Sequence, residues 1–328
     1  MSKATLAIIA AASAATGAGV TALLYSSKPA RPQQQQEQYQ QLPPPSAGAK
    51  VPTTTQTPTL AAKAVGPVDP AGVLQYGFPG PVADEISSLP LHGAYDRRTR
   101  NPAWVAEHIT PQSLLIKNAD RKHSTFFEDT SIPVLFRAKL SDYFRSGYDR
   151  GHQVPAADAK WSQEAMDGTF SLSNMCPQVG EGFNRDYWAH FEDFCRNLTQ
   201  KYPSVRVVTG PLYLPHRDPD GKWRVNYEMI GNPPNVAVPT HFYKVIYGED
   251  GSGSPNGKVA LGAFVLPNAR IPNQKSLSEF EVPVEVLERA SGLEFAAKLD
   301  LGRRRRLCQE VKCDITVREF NNTKKKLA

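Results

Sequence analysis

Asp149-Arg150-Gly151-His152, then Leu172-Ser173-Asn174-Met175-Cys176-Pro177-Gln178, then Phe183-Asn184-Arg185-Asp186-Tyr187-Trp188: these three runs decide how the chain reads. The first comes after Tyr143-Phe144-Arg145-Ser146-Gly147-Tyr148, an aromatic, partly alternating stretch expected to be a strand, so that His152 projects from a strand end. Gly151 lets the backbone pass close to another group. Histidine is the side chain most readily tuned as a general base near neutral pH. A lone histidine is more often structural, so the weight falls on the two later runs. Pro177, Gly180 and Gly182 punctuate a loop, and Asn184 stands where a helix is expected over 185–199. Along that helix Tyr187, Trp188, Phe191, Phe194, Cys195 and Leu198 recur at helical spacing and form its buried face. Asn184 and Glu192 lie about 12 Å apart along such a helix, too far for two short side chains to bind one ion directly. Asn184 can bind an ion directly while Glu192 orients metal-bound water from further away, a sparse oxygen site of the kind Mg²⁺ takes.

Around this centre, short β-rich runs recur at 205–209, 236–238, 242–247 and 259–266, each bounded by Gly, Pro or Asn. A second helix is expected over 284–299, after Pro283. The Gly/Ser/Pro-rich segment 248–257 reads as a hairpin loop. Strands scattered among few helices predict an α+β fold with a mainly antiparallel sheet. A strand carrying the histidine, a loop, and a helix carrying a metal ligand make a ββα-metal finger.

The flanks differ. Residues 4–27 carry no charge, with Lys3 before them and Lys28 and Arg31 after. Three readings compete for residues 1–28: a membrane anchor, a secretory signal peptide and a mitochondrial targeting segment. Residues 29–70, with Gln33–Gln36, Pro43–Pro45 and a Thr-rich tract, read as a disordered linker. Residues 71–320 have globular texture, and 321–328 form a basic tail ending near Lys324–Lys326. The 328-residue chain has a formal net charge of +6, which suits a polyanionic partner without requiring one. Its four cysteines include no CxxC pair and no zinc spacing. Cys308 and Cys313 are close enough to pair; buried free thiols are the competing reading.

These motifs, with Tyr76-Gly77-Phe78-Pro79-Gly80, Trp104-Val105-Ala106-Glu107-His108-Ile109-Thr110, Asn118-Ala119-Asp120-Arg121-Lys122 and Val208-Thr209-Gly210-Pro211-Leu212-Tyr213, occur in an order that resembles the DNA/RNA non-specific endonucleases with an Asp-Arg-Gly-His motif. The resemblance is closest to the mitochondrial endonuclease G branch in its fungal form. It implies His152 as general base, Asn184 as metal ligand, Asn174 as a supporting active-site residue, Glu192 as the metal-site glutamate and Arg121 as a catalytic arginine. Arg150 is a further phosphate-contact candidate, with an ion pair to Asp149 or a nearby acid as its competing reading. The resemblance also implies Mg²⁺ (Mn²⁺ as substitute), double- and single-stranded DNA and RNA as substrates, 5′-phosphate and 3′-hydroxyl products, and a homodimer. It tips the N-terminal reading towards the mitochondrial intermembrane space or inner membrane, with an anchor through residues 4–27; secretion is the alternative, since Asn197-Leu198-Thr199 and Asn321-Asn322-Thr323 fit the glycosylation pattern. Three other readings stand against a non-specific nuclease: a phosphodiesterase of narrower range, a nucleic-acid-binding protein with an inactive nuclease fold, and a membrane-anchored scaffold.

Overall fold

The run Phe242-Tyr243-Lys244-Val245-Ile246-Tyr247 is buried on both sides because its strand is central. In the computed structural model, which describes residues 72, 75–77, 84–251 and 257–317, this strand is β11 (His241–Glu249). It pairs antiparallel with β6 (Ser204–Leu212) on one side and β12 (Val259–Pro267) on the other. The expected strands at 205–209, 242–247 and 259–266 are the middles of these three, and segment 248–257 joins β11 to β12. The sheet runs outward from β6 through β3 (Asn101–Ile109), β2 (Leu91–Asp96) and β1 (Asp84–Ser88), all antiparallel. Its other edge is shared: β13 (Glu281–Val282) pairs antiparallel with one part of β12, and β14 (Arg304–Arg306) pairs parallel with another. Three two-stranded ribbons stand apart from the sheet: β4 (Asp149–His152) with β5 (Met175–Gln178), β7 (His216–Arg217) with β8 (Trp223–Arg224), and β9 (Met229–Ile230) with β10 (Val236–Ala237). The fold is α+β with a mainly antiparallel sheet, as expected.

Each sheet face is covered by a different layer. On one face Ile109, Val205, Val207, Phe242 and Ile246 pack against Trp188, Phe191, Phe194 and Leu198 of the helix Tyr187–Asn197 and its 3₁₀ extension. The helix thus lies within the expected 185–199, starting two residues later. On the other face Trp104, Val208, Tyr243, Val245 and Tyr247 pack against Leu287, Phe295 and Leu299. Burying a side chain of this size is worth about 1.5–3 kcal/mol, so these two layers dominate the stability of the sheet.

Two local expectations fail. Residues 143–148 are not a strand: Leu140–Tyr143 is a short helix, and Arg145 then adopts φ 54°, left-handed backbone that no extended strand can contain. The alternation there reflects one buried Tyr143 and one exposed Phe144 on a turn. The second helix is Val284–Ser291 only, not 284–299. Gly292 at φ 74° caps it, its N–H donating to the Glu288 carbonyl, and Phe295, Ala296 and Leu299 reach the core from irregular backbone instead. Cys308 and Cys313 form a disulfide, while Cys176 and Cys195 are buried thiols. The anchor or targeting segment, the linker, the extreme tail and the second glycosylation pattern lie outside the described residues. Among the described residues no helix is long and apolar enough to cross a membrane.

Candidate active site

The ribbon β4–β5 carries the first half of the site. Its register sets Asp149 opposite Gln178, Gly151 opposite Cys176 and His152 opposite Met175. Gly151 is required by a close approach: a Cβ there would lie 2.0 Å from Gln178 Oε1. Beyond His152 the ladder is continued by Asn174, which imitates backbone. Its carbonyl accepts from Gln153 N–H at 2.9 Å, its Oδ1 accepts from Val154 N–H at 3.0 Å, and its Nδ2 donates to the carbonyls of Val154 and Thr169 at 3.0 and 2.8 Å. Asn174 is fully buried with both amide hydrogens used, so it fastens the chain on either side of His152 and touches no solvent.

His152 is 7% exposed, and its Nε2 has no hydrogen-bond partner among the described residues. Two rings enclose it. Phe170 stands edge-on at 4.9 Å between centroids, and Phe126 lies at 5.7 Å. The rings are held together because segments 126–129 and 170–173 are stitched: Leu172 N–H donates to the Phe127 carbonyl at 2.9 Å, and Ser173 Oγ donates to Asp129 Oδ2 at 2.6 Å. Each ring carries a guanidinium. Arg150 lies 4.3 Å from the Phe126 centroid and Arg121 lies 5.5 Å from that of Phe170. Neither guanidinium has an acidic partner within ion-pair distance among the described residues, whereas Lys122 pairs with Asp120 at 2.8 Å. The competing reading of Arg150 as a partner of Asp149 does not hold, because Asp149 is taken by Arg185 at 3.1 Å. Burial first, and the nearby Arg121 charge second, push the His152 pKa down to about 3. The imidazole is therefore neutral throughout the physiological range.

The second half comes directly after β5. The chain makes one wide turn over Gly180–Asn184, with Asn184 N–H bonding the Val179 carbonyl at 2.9 Å and Gly182 at φ 78°. Asn184 Nδ2 donates to Asp149 Oδ2 at 2.9 Å. A carboxylate accepts only, so it fixes the amide the other way round and leaves Oδ1 free for a cation. Asp149 thus ties the two halves together, joining the strand of His152 to the turn of Asn184. Glu192 lies two turns further along and is only partly buried; its carboxylate has no hydrogen-bond partner among the described residues. Burial pushes its pKa up to about 7 against the pull of Lys244, Arg196 and Arg121. Arg121 is thus within electrostatic reach of both His152 and Glu192. Among the described residues no group of three or more His, Cys, Asp or Glu side chains forms a cage for a metal. The oxygens present, one amide and one carboxylate, fit a hard cation that keeps most of its waters.

Every site residue expected from the sequence is gathered around the β4–β5 ribbon or the helix after it. Sequence reasoning missed Asp149 as the clasp for Asn184, and missed Phe126 and Phe170 as the walls around His152. The first was legible, since Asp149 opens the motif itself; the rings had no local signal.

Residues 69–301 match the model of the family described as DNA/RNA non-specific endonuclease. The chain is similar to a mitochondrial nuclease of Saccharomyces cerevisiae, with 62% identity over 257 residues that make up 78% of each chain. It is similar to the mitochondrial endonuclease G of Caenorhabditis elegans, with 42% identity over 250 residues, 76% of this chain and 79% of that one. Among solved structures it is similar to a chain in the crystal structure of the EndoG/EndoGI complex, which concerns EndoG inhibition: the TM-score is 0.68 at 44% identity, over 74% of this chain and 99% of that one. With the family model spanning well over half its length and a relative 62% identical over 78% of it, the chain belongs to the DNA/RNA non-specific endonucleases and is a nuclease.

Proposed function

We propose that the chain is a Mg²⁺-dependent, sugar-non-specific endonuclease that hydrolyses DNA and RNA to 5′-phosphate and 3′-hydroxyl ends. The observation that carries this reading is the pairing of a neutral, enclosed His152 with two guanidiniums that have no acidic partner among the described residues. A phosphodiester fits that arrangement, since it brings the anion both arginines lack. Its charge also changes His152. Burial remains the larger cause of the depressed imidazole, but a phosphate set against Arg121 offsets that arginine's smaller share, so the histidine becomes a somewhat better base when substrate is bound.

His152 then takes a proton from water as that water attacks phosphorus and the P–O3′ bond breaks, Arg121 and Arg150 hold the non-bridging oxygens as negative charge builds, and a water molecule gives the departing 3′ oxygen its proton. Asn184 would hold Mg²⁺ through Oδ1, and Glu192 would reach it through water. When bound, the ion supplies Lewis-acid stabilisation of the departing 3′ oxygen. Asn174 and Asp149 act by position: one fixes the His152 strand end, the other orients the Asn184 amide. Water as nucleophile leaves no role for the 2′-hydroxyl, so both sugars serve. The named residues address phosphate and metal, which carry no direct sequence information.

Relatives named as mitochondrial, in Saccharomyces cerevisiae and Caenorhabditis elegans, support a mitochondrial location for this activity. The intermembrane space or inner membrane is the proposed compartment, with residues 4–27 as anchor, 29–70 as tether, 71–320 as nuclease domain and 321–328 as tail. A homodimer is the proposed assembly.

The test is incubation of the purified protein with supercoiled plasmid and with structured RNA, in Mg²⁺ or EDTA, beside His152→Asn. Both substrates should be cut only with metal, and the variant should be slower by about 10²–10⁴-fold. Cleavage of neither substrate with Mg²⁺ or Mn²⁺ would leave a nucleic-acid-binding protein with an inactive fold as the better reading.

A further inference from the structure

The helix that carries Glu192 does not rest on a wholly apolar bed. Three central strands each place one polar side chain on the sheet face beneath it: Glu107 on β3, Thr209 on β6 and Lys244 on β11, all buried. The register sets Lys244 opposite Thr209, and Thr209 opposite Val105, two residues from Glu107, so all three share a face. Lys244 Nζ donates to Thr209 Oγ1 at 2.9 Å and lies 4.8 Å from the ring centroid of Trp188. Trp188 is one turn before Glu192 on the same helix face, and Arg196 is one turn after it. Arg196 is anchored at 2.6 Å by Asp158 and at 2.7 Å by Asp193. Glu192 is therefore bracketed by two interior cations.

The two cations differ. Arg196 has bonded acids, but Lys244 has no carboxylate within ion-pair distance among the described residues; its hydrogen-bond partner is a neutral hydroxyl. A buried ammonium without a charged partner costs several kcal/mol, and a methionine of similar length would fill the same space over Trp188. Asp158 lies against Glu107 in the same compartment, and the carboxyls that Lys244 acts on are Glu107 and Glu192. Burial pushes both upward, and Lys244 pulls both back, so it lies within electrostatic reach of each.

We propose that Lys244 is a positioning residue for the active site: its charge, held under the helix by Thr209 and Trp188, orients the otherwise unbonded Glu192 carboxylate. This rests on the nuclease reading, in which Glu192 serves the metal. Lys244 itself is shut off from solvent and touches neither substrate nor metal.

The test compares wild type, Lys244→Met, Glu192→Gln and the double variant by plasmid cleavage, by Mn²⁺ titration with electron paramagnetic resonance as readout, and by thermal melting. Lys244→Met should melt at the wild-type temperature or above, because replacing a buried charge by an apolar side chain of equal length is often neutral or stabilising. It should weaken Mn²⁺ binding and lower kcat about 10–100-fold, the range for loss of a residue that orients a metal-site group, with KM for plasmid changed less than about twofold. In the Glu192→Gln background the same substitution should add no further loss, because the group it positions is gone. A full additional loss in that background would overturn the proposal, as would unchanged Mn²⁺ affinity in Lys244→Met. Should Lys244→Met fail to fold, Thr209→Val removes only the hydroxyl that holds the ammonium. A Mn²⁺ affinity weakened severalfold in it supports the proposal, and an unchanged one overturns it. Wild-type protein that cuts nothing would refute the nuclease reading, while the Mn²⁺ titration would still decide the role of Lys244.

Discussion

His152→Asn should make the protein less sensitive to acid. The imidazole is held at about 3 in the folded state, against an ordinary value of 6.5. Between those two values the unfolded chain binds a proton at this residue and the folded chain does not. Stability therefore falls as pH falls through that window, and the loss is complete only below about 3. From pH 7.5 to pH 5.0 this single histidine should remove about 2 kcal/mol from the free energy of unfolding, since each unit below 6.5 is worth about 1.4 kcal/mol. Asparagine does not titrate, so the variant should lose about 2 kcal/mol less over the same interval. His92 and His241 are also depressed by burial, but they are common to both proteins and cancel in the difference. The assay is urea unfolding of both proteins at pH 7.5 and 5.0, with equal m-values as the check that the same surface unfolds. The quantity read is the change between the two pH values, so any packing lost between the two phenyl rings at a single pH does not enter. Equal losses in the two proteins, within about 0.5 kcal/mol, would refute the reasoning, because His152 would then be freely protonated in the folded state.

Gly151→Ala should destabilise by about 1–3 kcal/mol through overpacking against Gln178; in urea melts Gln178→Ala should restore part of that loss, and strict additivity would contradict the close approach. Asn174→Ala leaves the Val154 N–H and two buried carbonyls without their partners, at about 1–3 kcal/mol each, and should lower kcat while leaving Mn²⁺ affinity unchanged, since it acts on the His152 strand and not on Asn184. Replacing Cys308 and Cys313 together by serine should cost about 2 kcal/mol from the length of the closed loop, and a reductant added to wild type should reproduce the loss in a thermal melt. Arg121→Ala and Arg150→Ala should each reduce the slope of log affinity against log salt by about one phosphate contact, measured on a plasmid fragment in Ca²⁺ or EDTA; an unchanged slope would remove that arginine from the phosphate site.

How much was legible in the sequence depends on where each signal is stored. Strands β6, β11 and β12 were readable because central strands are apolar on both faces and end at Gly, Pro or Asn. β3 was not read as a strand, because Glu107 and His108 interrupt its pattern; only the folded sheet shows Glu107 facing an interior ammonium. The stretch 143–148 has the alternation of a strand, but the left-handed Arg145 that breaks it leaves no mark in composition. The helix after Pro283 was overextended because Leu293, Ala296 and Leu299 continue a helical spacing after Gly292 has ended the helix. In the candidate site, His152 and Asn184 sit in dense local motifs, which is why the sequence singles them out. Phe126 and Phe170 are brought to His152 by hydrogen bonds between distant segments, and Lys244 comes under the helix of Glu192 only when sheet packs on helix. Local pattern records which side chains do chemistry; it does not record which ones hold them.

That division explains how one site can be both demanding and indiscriminate. The groups proposed to meet the substrate are two guanidiniums, an imidazole and an amide, gathered around a single ribbon and the turn after it. Together they address one phosphodiester and its metal. Reading a base edge requires an element placed in a groove with donors and acceptors matched to the pairs, and none of the named residues serves that end. The precision lies instead behind the contact surface, in Asn174, Asp149, the two phenyl rings and the buried charges under the helix. Substitutions in that hidden layer should lower the rate on every substrate by the same factor. Substitutions of Arg121 or Arg150 should alter salt dependence as well, because they alone change the number of phosphate charges neutralised. A variant of the hidden layer that changed the ratio of DNA to RNA cleavage would mean that the layer shapes a sugar pocket, and the separation between holding and touching would fail.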